Sequence, residues 1–117
     1  MNIKTLISEA HETAVEKGWY DTPTQIEAIL SRHDSKRYEA WTNYFLNSCL
    51  MNTASEVGEA CEAVRRGDME NLAEELADVY IRIADICARF DIDLEQAIAE
   101  KMEKNRNRPY LHGGKKL

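Results

Sequence analysis

Two pairs of acidic side chains, each with the helical spacing i, i+3, lie on either side of a glycine. Glu56 and Glu59 form the first pair, and Glu75 and Asp78 form the second. At about 100° per residue, helix positions three apart lie about 60° apart around the axis, so the members of each pair point the same way. Gly67 follows Glu59 by eight residues and precedes Glu75 by eight. An antiparallel hairpin that turns at Gly67 would therefore bring the four carboxylates to nearly the same height.

Carboxylates gathered in this way repel one another unless some take up protons or a cation lies between them. Oxygen ligands of this kind are the ones that Mg²⁺ and Mn²⁺ prefer. The spacing therefore predicts a Mg²⁺ site, with Mn²⁺ as an alternative ion, formed by Glu56, Glu59, Glu75 and Asp78. The competing interpretation is a solvated acidic helix face, because the chain carries 21 acidic residues.

Two other metal- or phosphate-dependent chemistries lack their motifs. A ferritin-like di-metal site needs Glu-x-x-His, and none of the three histidines has a glutamate three positions before it. The phosphate-binding loop G-x-x-x-x-G-K-[ST] is also absent. The missing motifs therefore argue against di-iron chemistry and exclude a P-loop nucleoside triphosphatase.

Length and composition limit the remaining classes. A chain of 117 residues predicts a single domain, residues 1–117. With 15 basic and 21 acidic residues, the net charge of −6 argues against binding to a nucleic acid polymer. No apolar run reaches the ~18 residues of a membrane span, and no signal peptide is recognisable. Three dispersed cysteines, Cys49, Cys61 and Cys87, indicate buried thiols in a reducing compartment. We therefore expect a cytoplasmic protein without membrane association.

The elements that must position the carboxylates are predicted to be helices, because only five glycines and two prolines occur and strand-like alternation is rare. Thr22 and Asp93 have the types and spacing of N-cap residues, and Gly67 ends a long helix before a further N-cap at Asp68. The predicted helices span about 3–17, 23–32, 36–66, 69–90 and 94–106. The fold class is therefore an all-α antiparallel bundle whose two long helices form a central hairpin, followed by an irregular basic tail, residues 107–117.

Apolar stripes on the two long helices predict how they pack. The stripe on the third helix is Leu50, Ala54, Val57, Cys61 and Val64. The stripe on the fourth helix is Leu72, Leu76, Val79, Ile83, Ile86 and Phe90. Steps of three and four residues suit packing near 20°, with the acidic pairs at the flanks of the seam. A second stripe on the fourth helix contains only alanines, Ala73, Ala77, Ala84 and Ala88, and favours burial against another copy of the chain.

Polar residues also continue the apolar face of the fifth helix. Lys101 and Asn105 fall there, so we expect them to face a polar group inside the bundle, such as a phosphate, unless the lysine only extends to solvent from the helix end. Arg82, one turn after Asp78, would either meet an anion or pair with Asp78 or Asp85.

With residues 56–59 (EVGE) followed by 75–78 (ELAD), the chain resembles the MazG-like all-α nucleoside-triphosphate pyrophosphatases of the small phage and bacterial type. The signature of that family is E-x-x-E and then E-x-x-D. Residues 11–21 (HETAVEKGWYD) and 101–115 (KMEKNRNRPYLHGGK) extend the likeness, and residues 22–50 are the unmatched part. One departure is Ser55, which stands where many members have a second glutamate before the first motif.

The resemblance implies hydrolysis of a (deoxy)nucleoside triphosphate between its α and β phosphates, which gives a monophosphate and pyrophosphate, as a housecleaning activity on the nucleotide pool. It implies that the four acids bind Mg²⁺ and that Glu56 or Glu59 accepts the proton of the attacking water. Together with Arg82, the candidate substrate-binding residues are Lys101, Asn105, Arg108, Trp19 and His11. Trp19 would stack on the base and His11 would touch base or sugar, although packing roles are common for both residue types.

The family also forms homodimers and homotetramers, so the resemblance implies that a neighbouring subunit completes the pocket. Two alternatives stay open at this point. One is a non-catalytic helical bundle that binds a nucleotide or a protein partner. The other is hydrolysis of a nucleoside diphosphate or a modified nucleotide.

Overall fold

The computed structural model describes residues 1–109, and within this range the chain forms five α-helices and no strand. The helices are α1 (Ile3–Glu16), α2 (Asp21–His33), α3 (Ser35–Arg66), α4 (Met69–Arg89) and α5 (Leu94–Arg106). The predicted all-α class is confirmed. Of the predicted basic tail, residues 110–117 lie outside the described residues. No helix within residues 1–109 combines the length and apolarity that crossing a bilayer requires.

The central hairpin of α3 and α4 turns where the sequence predicts. Gly67 adopts the left-handed conformation, with φ +70° and ψ +22°, which a residue without Cβ reaches at little cost. The backbone N–H of Asp68 returns to the carbonyl of Ala63 at 2.9 Å. The side chain of Asp68 then caps α4 by accepting a hydrogen bond of 3.0 Å from the backbone N–H of Asn71. A two-residue connection thus fixes α3 and α4 antiparallel.

The start of α2 differs from the prediction, because Thr22 is not its N-cap. The helix begins at Asp21, whose N–H donates to the carbonyl of Gly18, and Thr24 donates to the carbonyl of Tyr20 at 2.9 Å. Gly18 has φ +80°, so the chain reverses there and enters α2 earlier than the capping pattern suggests. Pro23 consequently lies inside the first turn, where its missing N–H costs no helical hydrogen bond.

Helix α4 lies at the centre of the packing. It contacts α3 on one side and α1 on the other, while α2 packs on α3 and α5 has its main contact with α1. The most deeply buried apolar residues are mostly small, namely Ala14, Tyr20, Ala60, Ala63, Ala84, Ile86 and Cys87. The core of the single chain is therefore small and built largely of alanines.

The predicted apolar seam on α3 is wrong. All five of its residues are exposed, and Val64 retains 60% of its accessible surface. The face of α3 that contacts the rest of the chain instead carries Ala60 and Ala63, with Thr53 and Glu56 half-buried. Hydrophobicity alone selected the wrong face. Helix α3 has one face of small residues that contacts α4 and another, more apolar face that stays exposed within residues 1–109. Cys61 lies on that outer face, so the expectation that all three cysteines are buried is also wrong.

The alanine stripe on α4 divides between two environments. Ala84 is fully buried and Ala88 half-buried within the single chain, whereas Ala73 and Ala77 are exposed. The buried half faces other helices of the same chain rather than a second copy. Only the exposed half remains open for contact with another subunit.

Contrary to the prediction, the polar residues of helix α5 do not face the inside of the bundle. Lys101 and Asn105 are both exposed, so the expectation that they face a polar group inside the bundle is wrong for the single chain. Because α1 and α3 already cover α4, the last helix packs mainly on α1. No residue of α5 is buried.

Candidate functional site

Three of the four predicted metal ligands converge between α3 and α4. Glu56, Glu75 and Asp78 each offer a carboxylate oxygen, and these oxygens all lie within 4.8 Å of one another. The α3 face that carries Ala60 and Ala63 places Glu56 beside α4. On α4, Asp78 comes three residues after Glu75, which is almost one helical turn. Glu56 and Glu75 are half-buried, and Asp78 is exposed. We call these three residues the acidic cluster.

The fourth predicted ligand, Glu59, is exposed and does not belong to this group of three. Its charge nevertheless reaches the cluster. Loss of water contact raises the pKa of the Glu75 carboxyl, and the negative charges of Asp78, Glu59 and Glu56 raise this pKa further. Both effects disfavour the charged form of Glu75, and a bound cation would offset the part that comes from the neighbouring negative charges.

Neighbouring polar side chains hold Glu75 in place. The amide nitrogen of Asn71 donates to Oε1 of Glu75 at 3.3 Å, and Nη2 of Arg66 donates to Oδ1 of Asn71 at 2.8 Å. Neither residue was predicted from the sequence to take part in the site. The available signal was position, because Asn71 precedes Glu75 by four residues and therefore shares its helix face.

Arg82 links the acidic cluster to an aromatic ring. Its Nε donates to Oε1 of Glu56 at 2.8 Å, with the two side chains 30% and 17% exposed. Its guanidinium carbon also lies 5.5 Å from the centroid of the Trp19 ring, which is a cation–π distance. Arg82 thus pairs with neither Asp78 nor Asp85. The observed rotation of α3, with Ala60 and Ala63 turned toward α4, places Glu56 within hydrogen-bonding distance of Arg82.

A cavity of about 330 Å³ opens next to Arg82. Its lining includes the rings of Trp19 and Phe45 and the polar side chains of Asn52, Arg82 and Asp85. This volume lies within the range of small-molecule pockets, which combine apolar walls with a few polar groups. Because Arg82 both lines the cavity and binds Glu56, the cavity adjoins the acidic cluster.

A buried carboxylate lies at the inner wall of this cavity. Asp85 is 9% exposed, and it accepts a hydrogen bond from Nδ1 of His11 at 2.8 Å and another from the hydroxyl of Tyr20 at 2.7 Å. Burial and the hydrogen bond to Asp85 raise the pKa of Tyr20. His11 is therefore held by Asp85, a partner that was not predicted for it from the sequence. The missed signal was an aspartate inside the most buried segment of α4, residues 84–87.

Cys49 also lines the cavity, but its thiol is a poor nucleophile. Burial raises the pKa of the thiol, and the negative charge of Asp85 raises it further. The thiol therefore stays protonated at neutral pH, and a protonated thiol is a poor nucleophile.

The structure thus separates the predicted substrate-binding residues into two groups. Arg82, Trp19 and His11 lie around the cavity, although His11 reaches it only through Asp85. Lys101, Asn105 and Arg108 are exposed, and within residues 1–109 no side-chain hydrogen bond or ion pair joins them to the acidic cluster. In the single chain, therefore, the α5 residues do not meet the carboxylates.

Comparison with known proteins gives matches over the part of the chain that carries the acidic cluster. Residues 46–112 match the MazG nucleotide pyrophosphohydrolase domain. The chain is 30% identical over 83 residues to the phosphoribosyl-ATP pyrophosphatase of Bacillus thuringiensis (strain Al Hakam) and equally to that of Bacillus cereus (strain 03BB102). It is 28% identical over the same length to the corresponding enzyme of Bacillus mycoides (strain KBAB4). Each alignment covers 68% of this chain and 78% of the relative. No solved structure matches the chain significantly.

Proposed function

Because the chain belongs to the MazG nucleotide pyrophosphohydrolase family, and is thus a hydrolase acting on phosphoric anhydrides, we propose that its substrate is a nucleoside triphosphate. The bond cleaved is the one between the α and β phosphates, which gives a nucleoside monophosphate and pyrophosphate. The cofactor is Mg²⁺, for which Mn²⁺ can substitute. The family match argues against the alternative of a non-catalytic binding bundle.

The convergence of Glu56, Glu75 and Asp78 is the observation that carries this proposal. The residues fit a hard divalent cation, because all three donors are carboxylate oxygens that lie within 4.8 Å of one another. Loss of water contact, and to a smaller degree the neighbouring carboxylates, raise the pKa of Glu75. One of the three is exposed, which leaves room for phosphate oxygens and water. A Mg²⁺ ion bound there would neutralise the charge that develops on the phosphates during hydrolysis.

The chain's own residues then divide the remaining work. Glu59 lies outside the three-ligand group but close enough to influence Glu75, so we assign it the role of accepting the proton of the attacking water. Glu56 is the alternative base, and its pairing with Arg82 makes it the less available one. The cavity beside Trp19 receives the base, and the sugar lies between it and the carboxylates.

A second copy of the chain completes this site in our proposal, as a homodimer or homotetramer. The exposed apolar face of α3 supports it, because Leu50, Val57 and Val64 gain a hydrophobic environment only against another surface. Helix α5 has no buried residue, although it carries Ile98 and Met102. Lys101, Asn105 and Arg108 would then bind the triphosphate across the subunit interface.

Product analysis with each ribo- and deoxyribonucleoside triphosphate tests the proposal. We expect equal amounts of monophosphate and pyrophosphate by ion-exchange chromatography, and free phosphate only after inorganic pyrophosphatase is added. Phosphoribosyl-ATP and a nucleoside diphosphate belong in the same screen, because the Bacillus relatives are named for the former. Absence of turnover with every triphosphate at millimolar Mg²⁺ and Mn²⁺ would refute the assigned substrate class.

A matched pair of variants tests the site itself. Glu75→Gln removes a charge from the acidic cluster, whereas Glu74→Gln removes the same charge from the exposed neighbouring position. We expect the first to abolish Mg²⁺ binding in calorimetry and to lower kcat at least a hundredfold, and the second to change neither by more than about twofold. Equal behaviour of the two variants would contradict the metal site.

The cellular setting follows from the same reasoning. We propose a cytoplasmic enzyme that removes unwanted triphosphates from the nucleotide pool and binds neither nucleic acid polymers nor membranes. The single domain of residues 1–117 stays a prediction.

A further inference from the structure

Arg82 is the one side chain in the described residues that contacts a member of the acidic cluster and also lies over the Trp19 ring. Its Nε is 2.8 Å from Oε1 of Glu56, and its guanidinium carbon is 5.5 Å from the Trp19 centroid. It lines the 330 Å³ cavity together with Trp19. One guanidinium therefore occupies both the edge of the carboxylates and one side of the ring.

Each of the two groups that Arg82 contacts is also a binding group for a proposed ligand: Glu56 for the divalent cation and the Trp19 ring for the nucleobase. Glu56 is the only member of the acidic cluster on α3, so a cation bound among the three carboxylates must draw on it. A divalent cation and a guanidinium repel each other at this distance, and the attraction of Glu56 for Arg82 falls once its charge is shared. The Trp19 ring, in turn, can stack on a base only where no other group covers it.

We propose that Arg82 couples the two halves of the site: a divalent cation at the acidic cluster loosens Arg82 from Glu56, and the guanidinium then moves off the Trp19 ring. In the metal-free protein, Arg82 offsets part of the negative charge and lies over one face of the Trp19 ring, while Trp19 as a whole is 56% exposed. With the cation bound, that face too is open to a nucleobase, and the released guanidinium is free to meet phosphate oxygens. The inference rests on the proposed function only in that the cluster must bind the cation.

Tryptophan fluorescence without any nucleotide tests this coupling. The chain has two tryptophans, and Trp41→Phe leaves Trp19 as the single emitter. Trp41 stacks on Phe45 with an interplanar angle of 10°, and its buried indole N–H has no hydrogen-bond partner within residues 1–109, so phenylalanine should replace it with little loss. We expect Mg²⁺ to raise the acrylamide quenching constant of Trp19, with the same apparent Kd that calorimetry gives for Mg²⁺.

Two further substitutions in the Trp41→Phe background identify Arg82 as the link. Arg82→Met removes the charge but keeps an unbranched side chain, and Arg82→Lys keeps the charge without the planar group. In Arg82→Met we expect Mg²⁺ to bind about three- to fivefold more tightly, because the competing ion pair is gone. The quenching constant should already be high without Mg²⁺ and should not respond to it. Arg82→Lys should restore the wild-type Mg²⁺ affinity and only part of the shielding.

The outcomes separate this inference from the function on which it rests. If calorimetry shows no Mg²⁺ or Mn²⁺ binding, the metal site and the coupling both fail. If Mg²⁺ binds but the quenching of Trp19 does not change, the metal site stands and the coupling is overturned. Weaker Mg²⁺ binding in Arg82→Met would also overturn it, because Arg82 would then support the cation rather than compete with it.

Discussion

Removal of one hydroxyl group, in Tyr20→Phe, gives a direct test of the buried network beside the cavity. The Tyr20 hydroxyl donates to Oδ2 of Asp85 at 2.7 Å, and Asp85 is 9% exposed, so water cannot readily replace the lost donor. A hydrogen bond to a charged group contributes about 1.5–3 kcal/mol, and we expect a loss of about 2 kcal/mol. The edge contacts of the ring with His11 and Phe45 remain. For 117 residues this loss corresponds to a Tm lower by about 8 °C.

The same variant has a predicted dependence on pH. Burial and the bond to Asp85 raise the pKa of Tyr20 in the folded protein, whereas an unfolded tyrosine loses its proton near pH ~10. The stability that the hydroxyl provides is therefore complete below pH ~10 and is lost as the pH rises above it. At about 1.4 kcal/mol per pH unit, a contribution of about 2 kcal/mol disappears by about pH 11.5. The gap in Tm between wild type and Tyr20→Phe should close over that interval.

Thermal melts followed by circular dichroism at pH 8 and at intervals from pH 9 to 11.5 measure both effects. Tyr44→Phe is the matched control, because Tyr44 is 73% exposed and its loss should shift Tm by less than about 1 °C. A gap below about 2 °C at pH 8 would contradict the assigned hydrogen bond. A gap that stays constant to pH 11.5 would contradict the linkage to Tyr20 ionisation.

Three further predictions concern the hairpin and the outer face of α3. Gly67→Ala should lower Tm by about 4 °C, since a side chain at φ +70° costs about 1 kcal/mol, and calorimetry measures it. Gly58→Ala, where an added Cβ meets nothing within 4 Å, should instead raise Tm by about 2–4 °C through better helix propensity; a fall would contradict the open space there. Val57→Asp on the exposed apolar face should convert the proposed oligomer to monomer in multi-angle light scattering and should speed the reaction of Cys61 with a thiol reagent; a monomeric wild type would refute the proposed interface.

Local sequence signals predicted the helices well and the hairpin best. The glycine at 67 and the aspartates at 68 and 93 act through bonds to backbone groups three or five residues away, so their effect does not depend on the rest of the chain. The prediction of Thr22 as an N-cap was wrong because the start of α2 does depend on the preceding part of the chain. The turn at Gly18 already sets the backbone geometry of Tyr20 and Asp21, and the helix starts before the cap is needed.

The rotation of α3 about its axis could not be predicted from its own hydrophobicity. The most apolar stripe faces outward, and the contact with α4 uses Ala60 and Ala63 instead. Amphipathic patterning places the most apolar face of a helix in the core, but in α3 that face, with Leu50, Val57 and Val64, is exposed. The Arg82–Glu56 pair was missed for a different reason. Asp78 and Asp85 lie four and three residues from Arg82 on its own helix, so spacing along the chain favoured them over a partner on α3.

The position of Glu56 explains why α3 packs on α4 through a face that is only weakly apolar. A carboxylate can lie between two helices only if neighbouring groups there offset its charge. On one side Glu56 accepts a hydrogen bond from Arg82, and on the other it faces the carboxylates of Glu75 and Asp78, which together with Glu56 could hold a cation. Ala60 and Ala63 sit one and two turns beyond Glu56 and allow α3 and α4 to approach closely, which brings the oxygens within 4.8 Å. A seam of larger side chains would hold the helices apart and separate these carboxylates. The small side chains of the α3–α4 contact and the exposed apolar face of α3 therefore both follow from the rotation of α3 that places Glu56 in this seam.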